Sequence, residues 1–181
     1  MKRKLNVVYR GSVTTSPTAD MEIVRTVDVE LRAEVFPPPL ASVKDLPDSP
    51  FKRLFDKHAM EVAGRPFKLD YQRYYNIEIE ERLVWIAAYD LDDQSPIGYS
   101  GHIIYSDLHF CELMAVDDLW FVLPEFRNRG IGLSLKQMGH RILKERGCVR
   151  VWDNIRDEFD HPNLMANIGF RRKAIRWVKD L

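Results

Sequence analysis

The segment VLPEFRNRGIGLSLKQMGHRILKERG, residues 122–147, decides the fold because it joins different structural patterns without a gap. The apolar run LWFVL at 119–123 leads into it and is typical of a buried strand. Apolar side chains then recur at helical spacing from about Ile131 to Arg146, and Gly147 suits the position after a helix C-terminus. The segment predicts a strand, a tight turn and an amphipathic helix in immediate succession.

The turn, Arg127-x-x-Gly130-x-Gly132, has the composition of an anion site. A helix N-terminus carries unpaired N–H groups and partial positive charge, which suit a phosphate. The two glycines let a phosphate approach the backbone, and Arg127 and Arg129 add charged donors. Neither the P-loop pattern nor the G-x-G-x-x-G dinucleotide pattern is present. The alternative is a tight turn with charged surface residues.

The patterns on either side of this segment predict alternating strands and helices. We predict strands at 5–13, 27–35, 82–90, 97–106, 113–123, 148–154 and 171–181, and helices at 51–64, 70–81, 131–146 and 161–169. This order predicts an α/β (α+β) fold, with a mixed, mostly antiparallel sheet and helices on both faces. Residues 1–50 form a strand extension with a proline-rich connector, and 51–181 form the main part of one domain.

Composition places the chain among globular cytoplasmic proteins. It has 181 residues, a net charge of zero and no apolar run long enough to span a bilayer. A secretory leader is not recognisable at the N-terminus. Cys111 and Cys148 lie in apolar runs, so we expect buried thiols in a reducing compartment. No His, Cys and Asp residues have metal-ligand spacing, and we predict no metal.

The sign of the charge changes abruptly along the chain. Residues 107–125 carry five acidic side chains and no basic one, whereas residues 127–150 carry seven basic side chains and one acidic one, Glu145. One interpretation is a cation site beside a polyanion site. The other is a pair of solvated faces of mixed charge.

Two stretches resemble the GNAT superfamily of acyl-CoA-dependent N-acetyltransferases. They are VLPEFRNRGIGLSLKQMGHRILKERG, similar to the acyl-CoA-binding segment, and NLMANIGFRRK at 163–173, similar to the short helix that ends in Gly-Phe. The resemblance runs from about Phe51 to the C-terminus and is nearest to small phage or prophage members, which implies the host cytoplasm. It implies a GNAT-like fold and acetyl-CoA as cosubstrate.

The resemblance also implies which residues bind the donor. The backbone of the strand would pair with the pantetheine arm, and the loop with its basic residues would hold the pyrophosphate. The implied set is Phe121, Val122, Leu123, Arg127, Asn128, Arg129, Gly130, Ile131, Gly132 and Asn163.

Attack of an amine on a thioester requires a general base. Asp117 and Asp118 are the main candidates, because successive strand residues face opposite sides and one of them would face the acceptor. Pairing with a neighbouring basic residue is the alternative. In many family members a tyrosine four residues before Gly-Phe serves as the general acid that protonates the departing thiolate. Here Met165 occupies that position. Asn163, His161 or solvent would then supply the proton.

Candidates for acceptor binding flank this strand in the sequence. They are His58 and Glu61 on the predicted first helix, and Tyr105 and His109 on or after the hairpin. His102 is a further candidate for lining the acceptor pocket, and Glu112 is a lesser candidate for the general base. For each histidine, the alternative is a packed, hydrogen-bonded core residue.

The resulting hypothesis is an acetyl-CoA-dependent N-acetyltransferase acting by direct attack of a small-molecule or protein amine. A first alternative is a GNAT-fold module that binds acyl-CoA or a partner without turnover. A second is an acyltransferase acting on a nucleic-acid base or a nucleic-acid-bound protein, which the neutral net charge disfavours. No membrane partner is expected, and residues 1–50 either pack on the domain or form the arm of a homodimer.

Overall fold

The protein forms one six-stranded sheet in a computed structural model that describes residues 8–12, 28–34, 50–153, 162–167 and 169–172. The strands lie side by side in chain order, and only the last pair is parallel. They are β1 (Val8–Ser12), β2 (Asp28–Glu34), β3 (Leu83–Asp90), β4 (Pro96–Ser106), β5 (Leu113–Val122) and β6 (Arg150–Asp153).

Four helices connect or flank these strands within the described residues. They are α1 (Pro50–Ala63), α2 (Tyr71–Ile79), α3 (Ile131–Glu145) and α4 (Pro162–Asn167). The Asp70 side chain caps α2 by accepting a hydrogen bond from the Arg73 N–H. Gly147 follows α3 with a φ of 88°, in the left-handed region that glycine favours at this position.

The helices cover opposite faces of the sheet and create two apolar clusters. On one face, α3 contributes Ile131, Leu135, Met138 and Ile142 to a core with side chains from β2 to β5. On the other face, Leu54 and Phe55 of α1 pack with the aromatic side chains of Trp85, Tyr99 and Phe121. Because both faces are covered, every residue from Leu83 to Tyr89 of β3 is buried.

A β-bulge interrupts the pairing of β4 with β5. Gly101 pairs with Leu119, whereas the next residue of β4, His102, pairs with Asp117, so Asp118 is the extra residue on β5. The bulge places Asp117 in contact with α3 and Asp118 in contact with α2. The two adjacent aspartates therefore lie in separate environments.

The predicted fold class is confirmed: the sheet is mixed, mostly antiparallel, and flanked by helices on both faces. Every predicted strand and helix that falls in the described residues is present with ends shifted by up to about two residues. The predicted strand at 171–181 does not begin at its first two residues, 171–172, which are described, and its remainder and the connector at 36–49 lie outside the described residues. No helix among the described residues has the length and apolar character required to cross a membrane.

The expectation of buried cysteines is wrong for Cys111. Its thiol is exposed in the turn between β4 and β5, where the residue has a φ of 54°, and Cys148 is half-buried. An apolar neighbourhood in sequence did not imply burial here, because Leu108 and Phe110 of the same turn are also exposed.

Gly139 on α3 provides a test of the packing between α3 and β4. A Cβ atom at this position would lie 2.1 Å from the His102 Nε2 atom, which is fully buried. Helix propensity alone favours alanine over glycine by about 1 kcal/mol. We expect Gly139→Ala to lower the free energy of unfolding by about 2 kcal/mol or more, because the clash outweighs propensity. Urea denaturation measures this, with Gln137→Ala on the exposed face as control. Stabilisation by Gly139→Ala would contradict the packing.

Candidate active site

The loop between β5 and α3 has the geometry of an open helix N-terminus. Residues Pro124–Phe126 form one 3-10 turn, and Asn128 and Gly130 both have positive φ values, 61° and 76°. Gly130 is the N-cap of α3 and no side chain caps the helix. The N–H groups of the first turn are therefore left for another acceptor. The first N–H to bond inside the helix is that of Ser134, which donates to the Gly130 carbonyl.

The two glycines of the loop have different roles. Gly130 adopts the left-handed conformation that most residues avoid. Gly132 lies against the Trp120 indole, where a Cβ atom would come within 3.0 Å of the ring, and its carbonyl accepts a hydrogen bond from the Trp120 Nε1. The absence of a side chain at Gly132 is thus explained by packing within the protein.

Arg127 is engaged by the protein itself. Its Nε donates to the Val122 carbonyl at 2.8 Å, and its guanidinium forms an ion pair with Glu61 of α1 at 2.7 Å. Both predicted roles, phosphate binding for Arg127 and acceptor binding for Glu61, are disfavoured by this pair. Arg129, in contrast, makes no ion pair with any described residue and lies over the Phe126 ring.

Two more of the seven basic residues counted at 127–150 are engaged within the protein. Lys136 is buried among carboxylates, and Arg146 donates to the carbonyls of Glu81 and Leu83. With Arg127 paired to Glu61, Arg129 is the basic residue left available at the loop.

The outer edge of β5 offers backbone groups beyond its pairing with β6. The described pairing ends at Asp117 with Asp153, and β5 continues to Val122. The Leu123 N–H donates to the Ile97 carbonyl, so it faces the hairpin and is not free. Because a strand alternates, the Val122 N–H faces the outer edge. Of the three strand residues that the resemblance implies for the donor, Val122 thus presents its N–H at the outer edge, whereas Leu123 does not.

Asp118 lies on the α1 and α2 face and is exposed. One of its carboxylate oxygens accepts a hydrogen bond from the Tyr74 hydroxyl of α2. Burial, followed by the nearby Asp118 charge, raises the pKa of Tyr74 well above its ordinary value, so the phenol remains a donor. No second hydrogen bond reaches this carboxylate from the described residues, which leaves an oxygen for a ligand.

His58 is a packed core residue of α1. Its Nδ1 is within 2.5 Å of the Tyr99 hydroxyl, and its ring stacks on Phe121 at a centroid distance of 4.7 Å. Burial is the main cause that lowers the pKa of His58 to about 4; the Glu61 charge opposes this shift and the Arg127 charge adds to it. The imidazole is therefore neutral near pH 7. The contacts fit the alternative of a satisfied core histidine.

Asp117 lies on the opposite face in a buried network of polar side chains. His102 Nδ1 donates to one carboxylate oxygen at 2.5 Å, and the Lys136 ammonium donates to the other at 2.6 Å. Lys136 also contacts Asp153 of β6, while the Ser100 hydroxyl lies 2.9 Å from His102 Nε2. Burial opposes ionisation of Asp117, but the His102 hydrogen bond and the Lys136 charge together lower its pKa well below the ordinary value.

The same network contains residues of metal-binding type, contrary to the prediction from spacing. Ligand atoms of His102, Asp117 and His140 lie within 4.8 Å of one another. Their contacts fit a metal poorly, because both His102 nitrogens and both Asp117 oxygens already have partners, one of which is the Lys136 ammonium. The His140 Nε2 is 3.7 Å from Asp117, which is too long for a hydrogen bond.

The remaining predicted residues are dispersed. His109 and Glu112 are exposed in or beside the turn that precedes β5. Six residues of extended strand separate Glu112 from Asp118, which is about 20 Å. Tyr105 is half-buried, with its hydroxyl 3.9 Å from the Met114 sulfur. Exposed Asn163 on α4 stays a prediction, and His161 lies outside the described residues.

Three residues that the sequence did not single out belong to the site: Tyr74, Tyr99 and Lys136. Tyr74 and Tyr99 bring hydroxyl groups from α2 and β4 to Asp118 and His58. Lys136 is only 1% exposed. Its place in the helix was a usable signal, since it lies four residues after Gly132 and falls on the same side as the apolar positions Leu135 and Gly139.

The fold and the loop agree with the protein family that the sequence matches. A profile of the Acetyltransferase (GNAT) family matches residues 42–167, which is more than two thirds of the chain. The chain belongs to this family. No curated protein matches the sequence significantly. The resemblance to phage-type members stays a prediction.

Solved structures of acetyltransferases share the fold at low sequence identity. An acetyltransferase of Trypanosoma brucei is 18% identical with a TM-score of 0.62, covering 85% of this chain and 100% of its own. A ribosomal-protein-alanine N-acetyltransferase from Brucella melitensis is 16% identical, with a TM-score of 0.61 and coverage of 84% and 99%. AAC(6')-Iy, in complex with the bisubstrate analogue CoA-S-monomethyl-acetylneamine, is 19% identical, with a TM-score of 0.60 and the same coverage.

The lowered pKa of His58 makes stability depend on pH. Between pH 6.5 and about 4 the unfolded chain binds a proton at His58 that the folded protein does not, so stability falls as the pH is lowered through this range. The expected loss is about 3 kcal/mol. His58→Asn, which keeps a polar partner for Tyr99, should remove this part of the slope in urea denaturation at several pH values. His109→Asn, in the exposed turn, should keep the wild-type slope. Equal slopes in wild type and His58→Asn would contradict the assignment.

Proposed function

We propose that the protein transfers an acetyl group from acetyl-CoA to an amine by direct attack. The observation that carries the proposal is the position of Asp118. The β-bulge turns this exposed carboxylate toward α2, on the strand whose last residues lead directly into the open N-terminus of α3. One strand thus presents a candidate base and leads to a candidate donor site.

In this proposal, the donor binds at the loop and along the outer edge of β5. The N–H groups at the start of α3, from Arg129 to Gly132, hold the pyrophosphate, and the Arg129 charge supplements them. The outward N–H of Val122 pairs with the pantetheine arm. The residues fit the group because Gly130 lacks a side chain at an uncapped helix end.

Asp118 orients the acceptor amine and takes its proton. The amine nitrogen attacks the thioester carbonyl carbon, the new C–N bond forms as the C–S bond breaks, and the proton passes to Asp118 directly or through water. Tyr74 keeps the carboxylate in place by donating to one oxygen. A carboxylate in this role favours a cationic amine as acceptor, either a small molecule or a protein amine.

The source of the proton for the thiolate is the point at which this chain departs from the family. Met165 is buried on α4, and a thioether has no proton to donate. We assign this proton to solvent. The same substitution favours the second candidate function, a module that binds acyl-CoA without turnover.

A panel of amines with acetyl-CoA separates these functions and tests Asp118. We expect Asp118→Asn to lower kcat/KM for the best amine by about 10²- to 10⁴-fold, because the neutral amide cannot accept the proton. Affinity for CoA should stay unchanged. Asp92→Asn, in the exposed turn after β3, is the matched control and should retain wild-type rates. Full activity of Asp118→Asn would contradict the role of the base. CoA binding by the wild type with no turnover on any amine would support the binding module.

A further inference from the structure

Lys136 occupies an unusual environment for a lysine. Its side chain is only 1% exposed, on the sheet-facing side of α3. Its ammonium donates to Asp117 on β5 at 2.6 Å and also contacts Asp153 on β6. The Trp120 ring lies 4.5 Å away and shields the contact on one side. A single buried cation therefore joins two neighbouring strands.

The two carboxylates lie where the described pairing of β5 with β6 ends. Asp117 and Asp153 are partners in the parallel ladder of β5 and β6, and theirs is the last described pair. Beyond it, β5 extends to Val122 along the edge assigned above to the donor. Lys136 therefore contacts the last described pair of the ladder, beyond which the outer edge of β5 is not paired with β6.

The other contacts of Asp117 hold its carboxylate in the same position. His102 holds the second carboxylate oxygen, and Gly139 leaves the space that the His102 ring fills. Both oxygens are thus held, one from β4 and one from α3. Asp118 follows directly and forms the bulge on the opposite face. There it is held separately, by the Tyr74 hydroxyl of α2.

A buried ion pair is not the most stabilising way to fill this space. Apolar side chains of similar volume often give equal or greater stability, because they avoid the cost of desolvating charges. The ammonium instead fixes the relative position of two strands, because it donates to a carboxylate on each of them. Its presence is better explained by a geometric requirement on β5 and β6 than by stability alone.

We propose that Lys136 is a positioning residue that ties β5 to β6 through Asp117 and Asp153 and so sets the donor edge of β5. The inference rests on the proposed function for the identity of the donor. The tie itself is a property of the described structure.

The test compares Lys136→Met and Asp153→Asn with two controls on exposed positions of α3, Lys144→Met and Glu145→Gln. Asp153→Asn keeps the Lys136–Asp117 pair, so it remains informative where Lys136→Met fails to fold. Two measurements are made on each variant. One is hydrogen–deuterium exchange, and the other is the KM for acetyl-CoA and for the amine.

We expect exchange in the β5–β6 ladder, residues 114–117 and 150–153, to become about tenfold faster in both variants. Exchange in β3 should stay unchanged, because the tie is local. The KM for acetyl-CoA should rise about tenfold or more, with little change in the KM for the amine. The controls should match the wild type.

Unchanged exchange in the ladder, or equal acceleration throughout the chain, would overturn the tie. Equal increases in both KM values would overturn its specific role at the donor edge. If the wild type neither binds CoA nor transfers acetyl groups, the proposed function and the donor role fail together. Local acceleration of exchange would in that case still support the tie, so the two failures are distinguishable.

Discussion

The carboxylate of Asp117, buried between β5 and α3, is the constraint on which the site depends. A buried carboxylate is costly unless every oxygen is paired, and here His102 and Lys136 supply the partners from β4 and α3. The requirement fixes the distance from β5 to the helix and from β5 to its neighbours. Because Lys136 also contacts Asp153, one requirement aligns three strands and one helix.

This constraint places two parts of β5, its middle and its C-terminal end, in different surroundings. The bulge next to Asp117 turns Asp118 to the α1 and α2 face, where the Tyr74 hydroxyl donates a hydrogen bond to it. The last residues of β5 run into the loop whose helix end lacks a cap. Arg127 connects the two regions, since it bonds the Val122 carbonyl and pairs with Glu61 of α1. The proposed donor and acceptor regions are thus linked by short contacts within the protein.

The sequence predicted most of the elements because local patterns determine them. The helix predicted at 131–146 is observed at Ile131–Glu145. The turn that the glycine pattern predicts before this helix is also present, with Gly130 as the N-cap. Asp117 and Asp118 were expected to differ in environment because strand residues alternate. Which of them would face the acceptor depended on the bulge, and no local pattern in the sequence signals that bulge.

Side-chain partners were predicted poorly because they depend on tertiary contacts. Arg127 and Glu61 were assigned to different ligands, yet they pair across 66 positions of sequence. Lys136 is one of the seven basic residues counted at 127–150, whereas the structure buries it between two carboxylates. A count of charged residues along a chain does not distinguish an exposed cation from one that pairs with buried carboxylates. Residues outside the described ranges, including the last predicted strand, stay predictions.

The central claim is that the uncapped N-terminus of α3 binds the pyrophosphate of coenzyme A. Calorimetric titration with CoA, and with pantetheine as a ligand that lacks pyrophosphate, tests it directly on Gly130→Asp and Gly130→Asn. Both side chains tolerate left-handed backbone and have the same shape, so charge is the difference between them. We predict that CoA binds Gly130→Asp at least about tenfold more weakly than Gly130→Asn, with equal pantetheine affinities. Equal CoA affinities in the two variants, close to that of the wild type, would contradict the account.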